Sequence, residues 1–204
     1  MITIVDYGLG NIQAFANIYK RLDIPVKFAR TADDLADATH IILPGVGAFD
    51  WAMARLEDSG MRATLDRLIL KDEKYVLGIC VGMQMMARSS DEGSAPGLGW
   101  FDAKVKRFDE TRIQGRTRLP HMGWNDVKPH STTDLFQKLG EEARFYFLHS
   151  YYFEPNDPKD VLAQTEYGEL FACAVKRGHI FGIQCHPEKS HNWGIQLLKN
   201  FAEL

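Results

Sequence analysis

The first half of the chain alternates short apolar runs with longer amphipathic stretches. Ile2–Val5 predicts a buried strand, and Asn11–Leu22 predicts a helix because its apolar residues recur at near-helical spacing. The same patterns predict strands at Val26–Ala29, His40–Leu43 and Tyr75–Ile79, a short helix capped by Thr31 and ending at Ala38, and helices over Phe49–Leu70 and from Gly82 to Ala87. Strands that alternate with helices in this way pair in parallel through helical crossovers.

The second half predicts shorter strands separated by turn signals, some of them paired as hairpins beside the parallel sheet. They are predicted at Gly97–Phe108, Thr117–Pro120, Asp126–Val127, Phe145–Leu148, Val161–Thr165, Ala172–Val175 and Ile180–Gln184, before a final helix over Asn192–Leu204. The whole pattern predicts an α/β fold with an open, mixed, mostly parallel sheet flanked by helices, in a single domain spanning residues 1–204. Sites in such sheets lie beyond the carboxyl ends of the strands.

Composition and charge argue against a nucleic-acid-binding protein, a membrane protein and a secreted protein. The chain has 204 residues, and its net charge of −3 gives no electrostatic argument for nucleic-acid binding. No apolar run approaches the roughly 20 residues that span a bilayer, and the N-terminus predicts no secretory signal. The cysteines Cys80, Cys173 and Cys185 fit neither a disulfide framework nor a metal site. We therefore expect a cytoplasmic protein with no membrane segment and no metal.

The segment Tyr75–Gln84 carries the strongest chemical signal. An apolar strand runs into the pattern Gly-x-Cys-x-Gly, centred on Cys80, and a helical segment follows. This pattern is typical of a nucleophile elbow, in which a sharp turn lifts the nucleophile out of the strand. Gly78 and Gly82 lack the Cβ atoms that would crowd the turn. The structural alternative is a buried cysteine between two packing glycines.

A second signal lies in Phe181–Lys189, where an apolar strand ends in His-Pro-Glu. A catalytic thiol needs an imidazole to move its proton, and the imidazole needs a carboxylate that orients it. In extended backbone, His186 and Glu188 face the same side, and Pro187 favours that geometry. The alternative is an exposed histidine beside a solvated glutamate. Cys185 is predicted to face away from His186, into the core.

Both motifs together resemble the class I, or triad, glutamine amidotransferases. Four more segments are similar to the glutaminase subunits of imidazole glycerol phosphate synthases: Asp6–Asn11, Leu43–Phe49, Pro120–Asn125 and His149–Tyr151. The resemblance extends from the first strand to the last helix. It implies a three-layer, flavodoxin-like fold.

The resemblance also implies roles for individual residues. Cys80 corresponds to the nucleophile, His186 to the general base and Glu188 to the carboxylate that orients it. The implied oxyanion donors come from Val81 and from a loop formed by Gly45, Val46 and Gly47. The implied binding residues for L-glutamine are Gln84, Glu92, Ser150 and Tyr151, with Glu92 receiving the α-ammonium group. No cofactor is implied.

The same resemblance implies a partner. It is a (β/α)₈-barrel cyclase subunit that receives ammonia in a heterodimer and makes imidazole glycerol phosphate and aminoimidazole carboxamide ribotide in histidine biosynthesis. The residues implied at the partner-facing mouth of the ammonia passage are Asn11, Trp124, Asn125 and Lys189. Cys185 departs from the family, which more often has an aromatic residue there.

Three alternatives stay open at the level of sequence. A related glutaminase subunit supplies ammonia for the amidation of a surface-polysaccharide sugar. A stand-alone cysteine hydrolase acts on γ-glutamyl compounds. A catalytically silent module serves only as an interaction partner.

Overall fold

The computed structural model describes residues 1–115, 118–130, 134–140 and 142–204. Its strands are β1 Ile2–Val5, β2 Val26–Ala29, β3 His40–Gly45, β4 Tyr75–Cys80, β5 Ser89–Ser90, β6 Ala103–Arg107, β7 His121–Asp126, β8 Lys128–Pro129, β9 Arg144–His149, β10 Tyr151–Pro155, β11 Val161–Tyr167, β12 Glu169–Arg177 and β13 Ile180–Ile183. Its α-helices are α1 Ile12–Arg21, α2 Phe49–Asp58, α3 Arg62–Leu70, α4 Val81–Met85 and α5 His191–Ala202.

The first half of the chain follows its predicted pattern closely, and one element differs. The helix predicted after Thr31 is wrong, because only Asp33–Leu35 form a single 3₁₀ turn. The Asp34 carboxylate accepts the backbone N–H groups of Arg30 and Thr31, both at 2.9 Å. Together with the bond from the Asp34 backbone N–H to the Thr31 hydroxyl at 3.4 Å, they cap the start of the turn. The backbone bonds that follow, such as Leu35 to Ala32, span three residues as in a 3₁₀ turn rather than the four of an α-helix. The helical stretch after Phe49 divides into α2 and α3 at Gly60, whose φ is +71°.

The second half differs more from its prediction. Of Gly97–Phe108 only β6 is a strand, because the backbone N–H of Leu98 bonds to Met85 and folds the segment onto α4. Residues 118–120 of the strand predicted at Thr117–Pro120 form no strand, and Thr117 lies outside the described residues. The strand predicted at Asp126–Val127 is the end of β7. Strands β5, β8 and β10 were not predicted.

In the described part of the chain, eleven strands form one sheet in the order β2-β1-β3-β4-β13-β12-β10-β6-β5, with β11 on β12 and β8 on β11. The run β2-β1-β3-β4-β13 is parallel. Strands β12, β10 and β6 extend it with antiparallel pairs. The predicted open, mixed α/β sheet with flanking helices is therefore confirmed.

The sheet order positions the site. Strand β13 lies between β4 and β12, so the segments that follow β4 and β13 emerge side by side at the carboxyl edge. Gly45 at the end of β3 pairs with Cys80 at the end of β4. Strands β7 and β9 form a separate antiparallel pair, and the backbone N–H of His186 donates to Tyr146 of β9 at 2.8 Å. This bond ties the small sheet to the edge of the large one.

Helices cover the sheet, and their apolar faces follow the sequence pattern. The buried face of α1 carries Phe15, Ile18 and Tyr19. The Tyr19 hydroxyl donates to the Leu198 carbonyl at 3.0 Å, which joins α1 to α5. Within the described residues, no helix combines the length and apolarity that crossing a membrane requires.

Candidate active site

Cys80 occupies a sharp turn between β4 and α4. Its φ of 56° and ψ of −115° are unusual for a residue with a side chain, and such strain is typical of functional sites. The turn closes tightly because residue 82 is glycine. A Cβ atom on Gly82 would lie 2.0 Å from the carbonyl oxygen of Leu43 on β3. The glycine pattern of the sequence thus corresponds to a close approach between the elbow and the neighbouring strand.

His186 and Glu188 are hydrogen-bonded, although the backbone between them differs from the prediction. Strand β13 ends at Ile183, and Pro187–Lys189 form a 3₁₀ turn rather than extended backbone. The turn brings the Oε1 atom of Glu188 to 2.9 Å from Nδ1 of His186. The prediction that a shared strand face pairs these residues is wrong in its geometry, because the turn makes the pairing.

The His186 imidazole joins Glu188 to the thiol. Burial alone lowers the pKa of His186, but its hydrogen bonds to Cys80 and Glu188 and their negative charges outweigh burial and raise that pKa to about 10. Both side chains of the His186–Glu188 pair are almost inaccessible to solvent. The structure thus brings Cys80 and the hydrogen-bonded His186–Glu188 pair together, with Cys80 and His186 lining the same pocket.

A pocket of about 310 Å³ opens above Cys80. Its volume is at the small end of the range for ligand pockets, which suits a substrate the size of an amino acid. Residues from the elbow, the loop after β3 and the segment after β9 line it. From the loop after β3 and the elbow with its helix these are Val46, Gly47, Cys80, Val81 and Gln84, and Glu92 joins them from the segment after β5.

Part of the segment at the end of β3 lines the pocket, and part of it packs against the elbow. Val46 and Gly47 line the pocket, and Gly47 has a φ of +85° that favours glycine. Gly45 packs against the elbow, where a Cβ atom on it would lie 2.4 Å from the backbone nitrogen of Gly82. The Tyr7 hydroxyl donates to the Pro44 carbonyl at 2.6 Å and fixes the start of the loop.

The predicted glutamine-binding residues lie around one wall of the pocket. Ser150 and Tyr151 line it together with Gln84 and Glu92. The Gln84 amide is anchored, because Nε2 donates to the Tyr151 carbonyl at 3.1 Å and to Oε1 of Gln184 at 3.0 Å. The Oε2 atom of Glu92 accepts the backbone N–H of Phe49 at 2.9 Å. Glu92 is therefore a fixed carboxylate on the pocket wall rather than a free loop acid.

Of the four predicted partner-facing residues, Lys189 and Trp124 lie close together, because both contact the Tyr146 ring, at 5.5 Å and 6.3 Å. Lys189 lines the pocket, and Trp124 is exposed on β7, stacked on the His191 ring at 5.2 Å. Asn125 lies on the other face of β7, where Nδ2 donates to the Glu166 carbonyl at 2.8 Å. Asn11 is exposed at the start of α1, beside Gly10, which packs on Pro44. For Asn125 the orientation differs from a partner-facing position.

Several residues of the site escaped the sequence analysis. Pro120, Leu148 and His149 line the pocket, and Nε2 of Gln184 donates to the Sγ atom of Cys80 at 3.7 Å. A signal existed for three of these residues: Pro120 and His149 lie in segments that carry the family resemblance, and Gln184 precedes His186 by two residues and so shares its side in extended backbone.

The other two cysteines are buried, as predicted. Burial raises the pKa of Cys173 and of Cys185 well above the usual range of a thiol. Neither thiol is a competing nucleophile, because the thiolate is the reactive form. Across the described residues, no group of three or more side chains has the arrangement of a metal site.

Comparison with known proteins places the chain among enzymes with such sites. The family described as glutamine amidotransferase class-I matches residues 3–204. A Bdellovibrio bacteriovorus protein named imidazole glycerol phosphate synthase subunit HisH is 61% identical over the full length of both chains. A Leptospira interrogans protein of the same name is 48% identical, again over both full lengths.

Solved structures support the fold. One described as a glutamine amidotransferase superposes with a TM-score of 0.76 at 20% identity, covering 99% of this chain and 97% of that one. At that identity the likeness concerns the fold alone, while the full-length sequence matches carry the relationship. The chain belongs to the class-I glutamine amidotransferase family, and within it to the imidazole glycerol phosphate synthase subunits HisH.

Proposed function

We propose that this chain hydrolyses L-glutamine to L-glutamate and ammonia, as the glutaminase subunit of an imidazole glycerol phosphate synthase in histidine biosynthesis. The observation that carries the proposal is the convergence of Cys80 and His186 on one pocket, with Glu188 hydrogen-bonded to Nδ1 of His186 at 2.9 Å. The names of the full-length relatives supply the pathway and favour this function over the amidation of a surface sugar.

In the first half of the reaction, the Cys80 sulfur attacks the side-chain amide carbon of glutamine. Negative charge then develops on the amide oxygen, and backbone N–H groups of Val81 and of the Val46–Gly47 loop are the donors we assign to it. His186 carries the proton that the departing nitrogen needs, because its neighbours raise its pKa to about 10. Ammonia leaves, and a γ-glutamyl thioester remains on Cys80.

In the second half, water replaces ammonia. His186 takes a proton from the attacking water, and the thioester carbon–sulfur bond breaks to release L-glutamate. The Glu188 carboxylate holds Nδ1 of His186 throughout, so that Nε2 is the nitrogen that faces the reacting groups. The sulfur and the imidazole return to their starting state.

A partner must receive the ammonia, because free ammonia is protonated in water and loses its nucleophilicity. The relatives are named as subunits, which fits a chain that works in an assembly. Beside the pocket, Met122, Trp124 and Leu148 are 61%, 38% and 37% exposed, which is typical of an interaction surface. We assign this surface to a (β/α)₈-barrel cyclase subunit in a heterodimer.

We further propose that residues 1–204 act as a single domain in the cytoplasm. The large sheet draws its strands from Ile2 to Ile183, which supports one folding unit. The three cysteines are free and buried, which suits a reducing compartment.

Replacement of the nucleophile tests the function. We expect Cys80→Ala to abolish glutamine hydrolysis, measured as glutamate release, while the circular dichroism spectrum and melting temperature stay those of the parent. Cys173→Ala is the matched control, because it also removes a buried thiol and keeps the backbone carbonyl by which Cys173 contacts Gln184. Turnover by Cys80→Ala at the parent's rate contradicts the proposal.

A further inference from the structure

A continuous chain of hydrogen bonds connects strand β7 with the nucleophile. It uses two buried histidines that the proposed reaction does not need, His121 and His149. Their rings meet with Nδ1 of His121 at 3.0 Å from Nε2 of His149. The chain ends at Asn125 on one side and at Sγ of Cys80 on the other.

The contacts of His149, near the pocket, fix the direction in which the hydrogen bonds are donated. Nδ1 of His149 lies 2.7 Å from the Tyr151 carbonyl, which only accepts hydrogen bonds. Nδ1 of His149 therefore carries the proton, and its Nε2 is left as an acceptor. The proton between the two rings must then belong to Nδ1 of His121.

The end on β7 gives the same direction independently. Nδ2 of Asn125 donates to the Glu166 carbonyl at 2.8 Å, while its Oδ1 accepts the backbone N–H of Asp126 at 2.9 Å. These two contacts fix the orientation of the amide, so that Nδ2 also donates to Nε2 of His121 at 3.2 Å. His121 therefore accepts at Nε2 and donates at Nδ1, as the opposite end requires.

The chain continues to the sulfur through two amides. The Tyr151 carbonyl also accepts Nε2 of Gln84, whose second hydrogen bonds to Oε1 of Gln184. The Gln184 amide is thereby oriented with Nε2 toward Sγ of Cys80, at 3.7 Å. Every hydrogen bond in the chain joins one donor to one acceptor. None of the amides or rings can be flipped without breaking the hydrogen bonds on either side of it.

We propose that this chain positions the thiol of Cys80, with Gln184 as the residue that holds the sulfur and β7 as the far anchor. The proposal rests on the proposed function, because it assigns positioning residues to the same nucleophile. Its members, in order from β7, are Asn125, His121, His149, the Tyr151 carbonyl, Gln84 and Gln184. The opposite face of β7 carries Trp124, so the chain joins the proposed partner surface to the nucleophile.

The surroundings of the two rings support this role. The His121 ring stacks between Phe147 at 4.9 Å and Tyr167 at 4.1 Å, which fixes its plane. Burial lowers the pKa of His121 to about 4. Burial and the nearby charges of His121 and His186 lower the pKa of His149 to about 3. Both rings are neutral near pH 7, as a chain with one proton per link requires.

Nitrogen NMR of the parent protein tests the direction without any substitution. We expect His121 and His149 each to show a protonated Nδ1 and an unprotonated Nε2 in two-bond ¹⁵N–¹H correlation spectra at pH 7. In water a neutral imidazole favours the opposite form, so the result is informative. An Nε2–H form or a doubly protonated ring at either position overturns the chain.

Kinetics test the positioning role, measured with the partner subunit present. We expect Gln184→Met to lower kcat on the order of 10- to 100-fold, because small displacements of a nucleophile are costly. KM for glutamine stays within about twofold, because Gln84 on the pocket wall loses its bond to Gln184 but keeps its bond to the Tyr151 carbonyl. His121→Phe keeps the aromatic stack and is expected to lower kcat in the same way. His179→Phe is the matched control, because it removes a histidine bond to the Ile69 carbonyl far from Cys80.

Active-site titration separates positioning from simple loss of folded protein. A diazo-ketone analogue of glutamine counts the competent sites, and kcat is expressed per titrated site. If Gln184→Met and His121→Phe keep the parent's kcat per site and only melt earlier, the positioning role is overturned. If Cys80→Ala itself retains hydrolysis, the proposed function fails instead, so the two failures are distinguishable.

Discussion

Cys80 and Glu188 together set the charge state of the catalytic imidazole. Burial lowers the pKa of His186, and the hydrogen bonds and charges of Cys80 and Glu188 together raise it to about 10. The proton on His186 is therefore present at neutral pH and is lost as the pH rises toward that value. Because this proton goes to the departing nitrogen, hydrolysis should fall over the same alkaline range.

Glu188→Gln tests this dependence. The substitution keeps the shape and removes the charge, so the pKa of His186 falls and the alkaline limb of the kcat profile moves to lower pH. We expect kcat near neutral pH to decrease on the order of 100-fold, the scale of general acid–base catalysis. Glu203→Gln, at an exposed carboxylate, is the control. An unchanged pH profile for Glu188→Gln would contradict the assignment.

The buried histidines also predict how stability depends on pH. In the unfolded chain His121 and His149 take up protons near their ordinary pKa of about 6.5. In the folded chain, burial lowers the pKa of His121 to about 4 and that of His149 to about 3, so both rings take up their protons only at lower pH. The unfolded state therefore binds more protons as the pH falls below 6.5, and the free energy of unfolding decreases.

We expect that decrease to be on the order of 3 kcal/mol between pH 7 and pH 5, measured by urea denaturation. His186 acts in the opposite sense and offsets part of this decrease, because its imidazole is already protonated in the folded chain but still takes up its proton in the unfolded chain as the pH falls from 7. His121→Phe removes one of the two delayed groups and should flatten the dependence. Equal slopes in parent and variant would refute this origin.

For individual residues, the sequence predicted the three reactive groups but not the hydrogen bond that holds the sulfur. Cys80, His186 and Glu188 were predicted because each lies in a short motif whose chemistry is local. The bond from Gln184 to the sulfur depends on Gln84 and on the Tyr151 carbonyl, which come from three separate parts of the chain. Such a contact exists only after the sheet has formed, so no local pattern announces it.

Among the elements, the elbow between β4 and α4 has little tolerance for added volume. We expect Gly82→Ala to lower the free energy of unfolding by about 3 kcal/mol or more, because its Cβ would overlap the Leu43 carbonyl. Gly60→Ala is the control. It has a φ of +71° but open space around it, so only backbone strain of about 1 kcal/mol is expected. Similar losses in the two variants, measured by urea denaturation, would refute the packing argument.

The predictability of an element depended on which of its faces is buried. Strands β1 and β2 have the predicted bounds, and fully buried β1 is a continuous apolar run. Only Asp126, the last residue of β7, was predicted as strand, because the apolar side chains of β7 point outward. Met122 and Trp124 are exposed, whereas His121 on the alternate face is buried. Strand prediction expects apolar side chains on the buried face and polar side chains on the exposed face. Strand β7 has the opposite arrangement.

For the molecule as a whole, that outward apolar face predicts how the proposed complex is held. We expect Trp124→Ala to weaken binding of the barrel subunit on the order of 30-fold, as for an aromatic hot spot worth about 2 kcal/mol. Leu70→Ala is the control, because Leu70 is 55% exposed but lies at the end of α3, before β4 begins. Binding is measured by isothermal titration calorimetry, and equal affinities would remove this face from the interface.

The place of β13 between β4 and β12 also sets the order in which the protein regains its parts after denaturation. The amide of Gln184 and the sulfur of Cys80 are 104 positions apart along the chain, whereas β1 finds β2 and β3 over much shorter separations. Long-range strand pairing closes slowly. We therefore expect glutamine hydrolysis to return in a later kinetic phase than secondary structure. The delay between these two signals measures how long β13 takes to insert between β4 and β12.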